Sequence, residues 1–470
     1  MDRQRGVGEE GRRHDMSVDP RLLGEFVASS MPPAAARTRA ARAVLDTIGV
    51  TLAGASEPSA RIVQAVVSAE GGDACRILGT VARASASNAA LANGTAAHAL
   101  DYDDMCFVSL AHPSAPLVGA AIASAESSGA SGAALLDGYI AGFELEGRLG
   151  SVMNPRHYER GWHCTSTLGT IGAAAAACRI FGLDADTTSH ALAIAASEAS
   201  GLKENFGTMV KPLHAGLAAR NGVLAAQLAK RGMTASARAI EGRQGFLAAM
   251  DSQRLSLAEA AADLGTRWEI LDTGITVKLY PSCAGTHPTL DALLDLRRAE
   301  GFVGSDVDRI DVEVDSITPT VLIYERPASG LEAKLSMPFC AAAAVIDGRV
   351  GIDTFEADRL RDPGIVSMMA RVIMRVGEGL DPLAPPLTQA RIRVRLKDGR
   401  ELTASANGAR GYADRPASDE ELAMKFLACA ERTIPHDRAI RAIAMLRDIQ
   451  HMTDIRALTA LLSCEGFRSV

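Results

Sequence analysis

Hydrophobic residues recur along the chain with two different periods, and each period dominates a different region. From about residue 19 to residue 267, apolar residues follow the three- and four-residue spacing of a helix. One such series is Ala41, Val44, Leu45, Ile48 and Leu52, with Gly54 as the expected helix end. Four further stretches are apolar on nearly every face and close on glycine, which is typical of buried helices: SAPLVGAAIASAESSG, GAALLDGYIAGFELEGRLG, TLGTIGAAAAACRIFG and GLAARNGVLAAQLAKRG. Residues 19–267 are therefore predicted to form a large all-helical domain.

A two-residue period, typical of half-buried strands, appears after about residue 268. The stretch DRIDVEVDS alternates apolar and acidic residues, and ARIRVRLKDGRELTAS alternates in the same way before turning at Asp398-Gly399 into a second strand. The stretches AKLSMPFCAAAAVIDG and IVSMMARVIM predict helices between them. Residues 268–405 are therefore predicted to form a smaller α+β domain inserted before C-terminal helices, residues 406–470, that return to the helical domain. The fold class expected is mostly α.

Composition and charge narrow the class of protein. The chain has 470 residues, of which 47% are hydrophobic and 22% charged, with a formal charge of -7. This acidic balance argues against a nucleic-acid-binding protein, which needs a basic face. The eight cysteines form no CxxC pair, as expected of buried thiols in a reducing compartment. Residues 1–18 are polar and predicted to be disordered, with Met16 as the expected natural start, and no run reaches membrane-spanning length. These features predict a soluble, cytoplasmic protein.

Charged and imidazole groups stand among small apolar residues in four stretches, each beside a predicted helix. The first stretch, HALDYDDMCFVSLAHPSAP, holds three aspartates between two histidines. The others are YERGWHCTSTLG around His163, NFGTMVKPLHAG around Lys211 and His214, and TVKLYPSCAGTHPTLDAL around Lys278 and His287. Some of the aspartates could serve only as helix caps, and an isolated buried histidine usually satisfies a core hydrogen bond. Lys211, which precedes a proline, is predicted to lie outside helical geometry.

The motifs of several cofactor and nucleophile sites are missing. DYDD lacks the glycine and distal glutamate of a calcium loop, and neither HExxH nor a histidine pair at metal-ligand spacing occurs. No GxGxxG follows a predicted strand, and neither a Walker A motif nor a GxSxG elbow is present. We therefore expect no metal and no cofactor. Imidazole, carboxylate and ammonium groups suit proton transfer next to a carboxylate, as in elimination, decarboxylation or epimerisation of a di- or tricarboxylic acid.

These stretches resemble the MmgE/PrpD family, which includes 2-methylcitrate dehydratase, cis-aconitate decarboxylase and iminodisuccinate epimerase. The resemblance extends from about residue 40 to the C-terminal helices. It is carried by NGTAAHALDYDD, HPSAPL, GWHCTSTLGTIGAA, NFGTMVKPLHAGLAARNG, YPSC and LEAKLSMPFCAAAAVIDG. It implies a large helical domain with a smaller α+β lid domain, usually in a homodimer, and no cofactor.

The resemblance also implies a set of site residues. His112 is expected to be the principal proton-transfer group, with Asp101 orienting it, and His163 to contact the substrate or act as a second acid or base. Lys211 and Lys278 are expected to hold substrate carboxylates, with His214 and His287 as further candidates. Pairing with Asp101 is expected to keep His112 charged to higher pH.

Two positions depart from the family pattern. Decarboxylase members carry a threonine where this chain has Met105, and a tyrosine where it has Phe339. Both departures remove a hydroxyl that could bind substrate or carry a proton, and they predict a substrate other than cis-aconitate. Three hypotheses follow: a lyase acting on a small polycarboxylate, an epimerase of an iminodisuccinate-like dicarboxylate, and a non-catalytic member that kept the fold. The retained buried charges weigh against the third hypothesis.

Overall fold

The computed structural model describes residues 20–254, 256–380 and 388–463. The chain in these ranges is mostly helical, and two small sheets accompany the helices. The helices are α1 (Pro20–Ser29), α2 (Ala34–Gly54), α3 (Pro58–Glu70), α4 (Ala86–His98), α5 (Ser114–Ser128), α6 (Gly132–Met153), α7 (Arg156–Glu159), α8 (Cys164–Phe181), α9 (Ala185–Glu198), α10 (Val210–Lys230), α11 (Phe246–Ala249), α12 (Ala258–Ala261), α13 (His287–Glu300), α14 (Thr318–Val321), α15 (Gly330–Ala333), α16 (Met337–Asp347), α17 (Pro363–Met369), α18 (Asp419–Ala430), α19 (His436–Arg447) and α20 (Arg456–Leu461). The strands are β1 (Cys75–Arg76), β2 (Arg83–Ala84), β3 (Val307–Val314), β4 (Val372–Val376), β5 (Gln389–Leu396) and β6 (Glu401–Asn407). The predicted extension over residues 1–18 and the expected start at Met16 lie outside the described residues.

The helical body, which we define as α1–α12 with α18–α20, is held together by closely packed small residues. Helices α4, α5, α8 and α10 pack against one another, and α18 and α19 pack on α2. A methyl group added to Gly94 of α4 would lie 3.0 Å from Cα of Gly216 in α10, and one added to Gly119 of α5 would lie 3.2 Å from Cα of Gly94. Backbones this close bring the ends of the four helices together. The candidate site lies at these converging helix ends.

The second part of the chain, residues 284–407 and here called the sheet region, is built around a four-stranded sheet in the order β4-β3-β5-β6. Strand β3 pairs in parallel with β4 and antiparallel with β5, so that Val312 lies opposite Met374 on one side and Ile392 on the other. The predicted hairpin of β5 and β6 is confirmed, with Gly399 in the turn at a φ of 91°. Helices α13 and α16 cover the sheet and share a separate hydrophobic core with it.

Two local predictions are wrong. The stretch IVSMMARVIM was predicted as one helix, but α17 ends at Met369 and Val372–Val376 forms β4. The strand forms because parallel pairing with β3 outweighs the helical spacing of the apolar residues. Helix α6 was predicted to close on Gly150 and instead continues to Met153. A Cβ on Gly150 would lie 2.4 Å from Cα of Ser109, so this glycine allows close packing and does not end the helix.

Among the described residues, no helix is both long and apolar enough to cross a membrane.

Candidate active site

Four of the predicted site residues lie at the converging ends of four helices. Asp101 follows the end of α4, His112 precedes the start of α5, His163 precedes α8, and Lys211 lies in the first turn of α10. Lys278 joins them from the segment after α12, because the backbones of Met105 and Thr276 exchange two hydrogen bonds of 2.8 Å. The prediction that Lys211 lies outside helical geometry is wrong. Pro212 falls in the first helical turn, where its missing N–H has no helical partner to lose.

Asp101 is the centre of a buried ion cluster. Lys211 donates to its Oδ2 at 2.8 Å, and Lys278 donates to its Oδ1 at 2.5 Å and to its backbone carbonyl at 3.0 Å. Burial raises the pKa of Asp101, but the two ammonium groups and His112 lower it by a larger amount. Its pKa therefore lies well below the usual value. The residue adopts a left-handed conformation with a φ of 51°, which aspartate tolerates better than most residues. The carboxylate is therefore held ionised and in a fixed direction.

His112 lies between two aspartates. Its Nε2 is 3.7 Å from Oδ1 of Asp101, and its Nδ1 is 3.5 Å from Oδ2 of Asp103. Asp103 in turn accepts from Nδ1 of His98 at 2.8 Å, and the rings of His98 and His112 lie 4.6 Å apart. The two histidines outweigh burial and lower the pKa of Asp103 far below its usual value. His98 and Asp103 thus form a fixed second pair behind His112.

The expectation that His112 stays charged to higher pH is not supported by its surroundings. Burial lowers its pKa, and the nearby Lys278 lowers it further, while Asp103 raises it only in part; the result is a pKa of about 4. Helix α5 also begins two residues later, and the positive end of its dipole opposes a charged imidazole. His112 is therefore neutral at pH 7 in the free protein, with a negative carboxylate on each side.

His163 and His214 form a second imidazole pair. Their Nδ1 atoms lie 3.0 Å apart, so one ring carries the proton and the other accepts it. Burial, with added repulsion from His98, His214 and Lys211, lowers the pKa of His163 well below its usual value. Burial likewise lowers the pKa of His214 to about 4. The rings of Phe206 and His163 meet edge-to-face with their centroids 4.9 Å apart, which fixes the imidazole against the cavity.

Asp104, the third aspartate of the first stretch, faces away from this cluster. It accepts hydrogen bonds from the backbone and hydroxyl of Ser114, and the same hydroxyl is 2.7 Å from the Tyr139 hydroxyl. Burial, together with the charge of Asp103, raises its pKa to about 7. Asp104 thus caps the start of α5, the structural role that the sequence left open for these aspartates.

A cavity of about 770 Å³, counting the space open to solvent, lies between the helical body and the sheet region. His112, His163 and Lys211 line it, together with Met105, while Ile317, Val321 and Leu335 line it from the sheet region. Lys278 does not reach its surface, because the side chain is fully buried behind Asp101. His112, His163 and Lys211 can therefore all touch a bound molecule.

Two of the predicted residues that do not line the cavity, His287 and Phe339, also lie outside the ion cluster around Asp101. His287 is buried, donates from Nε2 to the backbone carbonyl of Ser282 at 3.1 Å, and packs against the ring of Tyr280. Burial, with repulsion from Lys278, lowers its pKa to about 3. Phe339 is fully buried in the core of the sheet region, 5.7 Å from the ring of Phe355. Neither residue is among those that line the cavity.

His98, Asp103 and Phe206 were not among the site residues expected from the sequence, although the structure places all three in or against the cluster. The five-residue spacing of His98 and Asp103 across the end of α4 was a usable signal for a local pair. Phe206 stands in a loop whose direction depends on contacts remote in sequence, including the hydrogen bond from the Tyr324 hydroxyl to its carbonyl. Nothing in the local pattern could have indicated it.

One group of side chains has the spacing of a metal site. Ligand atoms of His98, Asp101, Asp103 and His112 lie within 4.8 Å of one another. The oxygens of Asp101 already accept from the ammonium groups of Lys211 and Lys278, however, and two positive charges within 3 Å would repel a cation. The two ammonium groups therefore weigh against a metal ion at this donor set.

Comparison with family models identifies two matched domains in this chain. The MmgE/PrpD N-terminal domain matches residues 23–258, and the MmgE/PrpD C-terminal domain matches residues 280–450. The chain belongs to the MmgE/PrpD family. The resemblance identified from the sequence is thereby confirmed, and the division between the two matched domains falls just before the start of the sheet region.

Relatives in this family carry a named activity. A Homo sapiens cis-aconitate decarboxylase is 29% identical over 386 residues, which cover 80% of this chain and 79% of the human protein. The cis-aconitate decarboxylase-like protein oryM of Aspergillus oryzae is 28% identical and covers 92% of this chain and 94% of its own length. An Aspergillus terreus cis-aconitate decarboxylase is 27% identical and covers 91% of each chain. These likenesses support an enzyme of the lyase class.

Proposed function

We propose that this chain is a cofactor-independent lyase that breaks a bond next to a carboxylate of a small carboxylic acid, with decarboxylation as the leading reaction and dehydration as the other form. The observation that carries the proposal is the position of His112, which lines the cavity with His163 and Lys211 and has a carboxylate on each side. The activity named for the relatives supports decarboxylation.

Lys211 binds a substrate carboxylate in this proposal. Its ammonium group lies at the cavity wall, where burial lowers its pKa but Asp101 raises it by more, so the group stays charged. Lys278 acts through Asp101, because its ammonium group is enclosed by that residue's carboxylate and carbonyl. In the free site the two ammonium groups balance the charges of Asp101 and Asp103. A bound substrate anion therefore gives the site a net negative charge.

The added negative charge changes the state of His112. A carboxylate within a few ångströms favours the imidazolium form, so substrate binding raises the pKa of His112 from its low value in the free protein. In decarboxylation the bond from carbon to the carboxylate breaks, carbon dioxide leaves, and the electron pair remains on the substrate carbon framework. The imidazolium of His112 supplies the proton that this electron pair takes up, and Asp101 stabilises the charged ring until transfer.

Epimerisation of a dicarboxylate is the second candidate, because His112 and His163 both line the same cavity. An epimerase needs one group to remove a proton from carbon and another to return it on the opposite face. The rings of His112 and His163 both pack against the ring of His98, at 4.6 and 5.8 Å between centroids, so both imidazoles belong to the part of the cavity wall next to His98. This arrangement favours the lyase.

The sheet region, corresponding to the α+β lid predicted over residues 268–405, is proposed to close the cavity over the substrate. Support comes from the cavity wall, to which Ile317, Val321 and Leu335 contribute. A closed, mainly apolar wall excludes water and strengthens the charge interactions around His112.

Proton NMR of the purified protein in deuterium oxide tests the proposal. The panel contains methylcitrate, cis-aconitate, citrate and iminodisuccinate. New vinylic signals or loss of a carboxyl group identify a lyase and its leaving group. Deuterium uptake at one carbon without loss of mass identifies an epimerase and contradicts the lyase.

A further inference from the structure

The cavity has a polar end and an apolar wall, and the difference between them bears on the substrate. The polar end includes His112, His163 and Lys211, and the aromatic hydroxyl residue Tyr158 also lines the cavity. The apolar wall consists of Met105, Phe107, Phe206, Ile317, Val321 and Leu335. A ligand that fills the cavity must therefore place some of its surface against hydrocarbon.

The polar groups near the apolar wall are already engaged. Asp315 accepts from the backbone of Ile317 and from both the backbone and the hydroxyl of Thr318, at 2.8 to 3.1 Å. The hydroxyl of Thr388 is 2.5 Å from that of Tyr412. Asp315 is itself acidic and would repel an anion. A substrate carboxylate placed at this wall would lose its hydration and find no cationic partner.

Positive charge is also limited at the cavity surface. Among the described lining residues, Lys211 carries the one ammonium group. The ammonium group of Lys278 donates to the carboxylate of Asp101. The ammonium group of Lys334 donates at 2.5 Å to the backbone carbonyl of Leu100, the residue before Asp101. A tricarboxylate would therefore place at least one carboxylate where neither lysine nor arginine faces it.

We infer that the substrate is a carboxylic acid with an apolar chain, its carboxylate at Lys211 and its chain along the wall formed by Met105, Ile317, Val321 and Leu335. This inference names the substrate class of the proposed lyase site and rests on that function for the location of the chemistry. Met105 explains one departure from the family pattern: a thioether on a flexible side chain adapts to hydrocarbon of varied shape, where a threonine would present a hydroxyl.

Isothermal titration calorimetry with succinate and its 2-methyl, 2-butyl and 2-hexyl derivatives tests the inference on the full chain. Each additional methylene that becomes buried is expected to lower the dissociation constant about fourfold until the wall is filled. Equal affinities across the series, or weaker binding of the longer acids, would overturn the inference.

Two variants test whether the hydrocarbon chain of the ligand lies along the proposed wall. Val321→Thr places a hydroxyl in the wall at nearly constant volume and is expected to weaken binding of 2-hexylsuccinate at least about threefold, with succinate unchanged. Val366→Thr is the matched control, because Val366 is 48% exposed and does not line the cavity. Equal effects of the two variants on 2-hexylsuccinate would place the chain elsewhere and contradict the inference.

Different outcomes would contradict the lyase proposal and the inference of an apolar binding wall. Tight, length-dependent binding without turnover of any acid would remove the lyase proposal and leave the apolar binding wall standing. Turnover of citrate-like acids without any dependence on chain length would support the lyase and remove the apolar wall.

Discussion

The ammonium group of Lys278 lies 2.5 Å from Oδ1 of Asp101 and 3.0 Å from the backbone carbonyl of the same residue. Lys211 holds the other carboxylate oxygen at 2.8 Å. All three side chains are buried, and breaking such a pair leaves a charge in a medium of low polarity. The cluster therefore fixes the direction of the Asp101 carboxylate toward His112 and makes the site sensitive to loss of any one charge.

Replacing Asp101 by asparagine tests the ion cluster. Asparagine also tolerates the left-handed backbone, so Asp101→Asn removes the charge and keeps the turn. We expect the free energy of unfolding to fall by about 3 kcal/mol in urea denaturation, because two buried ammonium groups lose their counter-charge. Asp353→Asn is the control. Its partner Arg349 is 64% exposed, and the expected loss is below about 1 kcal/mol. Equal losses in the two variants would show that Asp101 is not the counter-charge of the lysines.

The pKa of Asp104 predicts a pH-dependent stability difference. Burial raises this pKa to about 7 from an ordinary value of 3.8, so the folded protein binds the proton more tightly than the unfolded chain does. The contribution of Asp104 to stability is complete below about pH 4 and is lost as the pH rises toward 7. Asp104→Asn lacks this loss and should gain stability relative to the wild type between pH 4 and 7, at up to about 1.4 kcal/mol per pH unit. Urea unfolding at several pH values measures the difference, and a constant difference would contradict the assignment.

The pKa of His112 should depend on ligand binding. In the free protein we expect a value of about 4, because burial and Lys278 oppose the imidazolium. Saturation with succinate should raise it, since the bound carboxylate favours the charged ring. NMR titration of protein labelled at histidine, with His112→Gln to assign the signal, measures both values. A pKa near 6.5 in the free protein would mean that the site is open to water.

His214 is expected to position His163 without touching the substrate. His214→Gln should lower kcat about tenfold and leave KM nearly unchanged, because the hydrogen bond between the two Nδ1 atoms is lost while the cavity lining is kept. His163→Gln should lower kcat further, since His163 lines the cavity. Steady-state kinetics on the acid identified by NMR separates the roles. A larger effect of His214→Gln than of His163→Gln would reverse them.

Local patterns predicted more of the fold than of the site. The spacing of apolar residues predicted helix α2 and the hairpin of β5 and β6. The site residues Asp101, His112, His163 and Lys211 came from the resemblance to the family. The helix expected over IVSMMARVIM was wrong at its C-terminal end, because the pairing of that segment with β3 is a contact remote in sequence. The predicted charge state of His112 was wrong for a similar reason. The motif places Asp101 beside His112, but the burial of the ring and its proximity to Lys278 arise only in the assembled fold.

The most direct test of the proposed chemistry compares the wild type, His112→Gln and His451→Gln in deuterium oxide by proton NMR, with the acid that the wild type converts. Circular dichroism checks that all three proteins are folded. His451 is an exposed histidine and serves as the matched control. The wild type and His451→Gln should give product that carries one deuterium at the carbon that took up the proton. His112→Gln should lose at least about 100-fold in rate, the usual contribution of a general acid or base. Wild-type turnover by His112→Gln would contradict the assignment of proton transfer to His112.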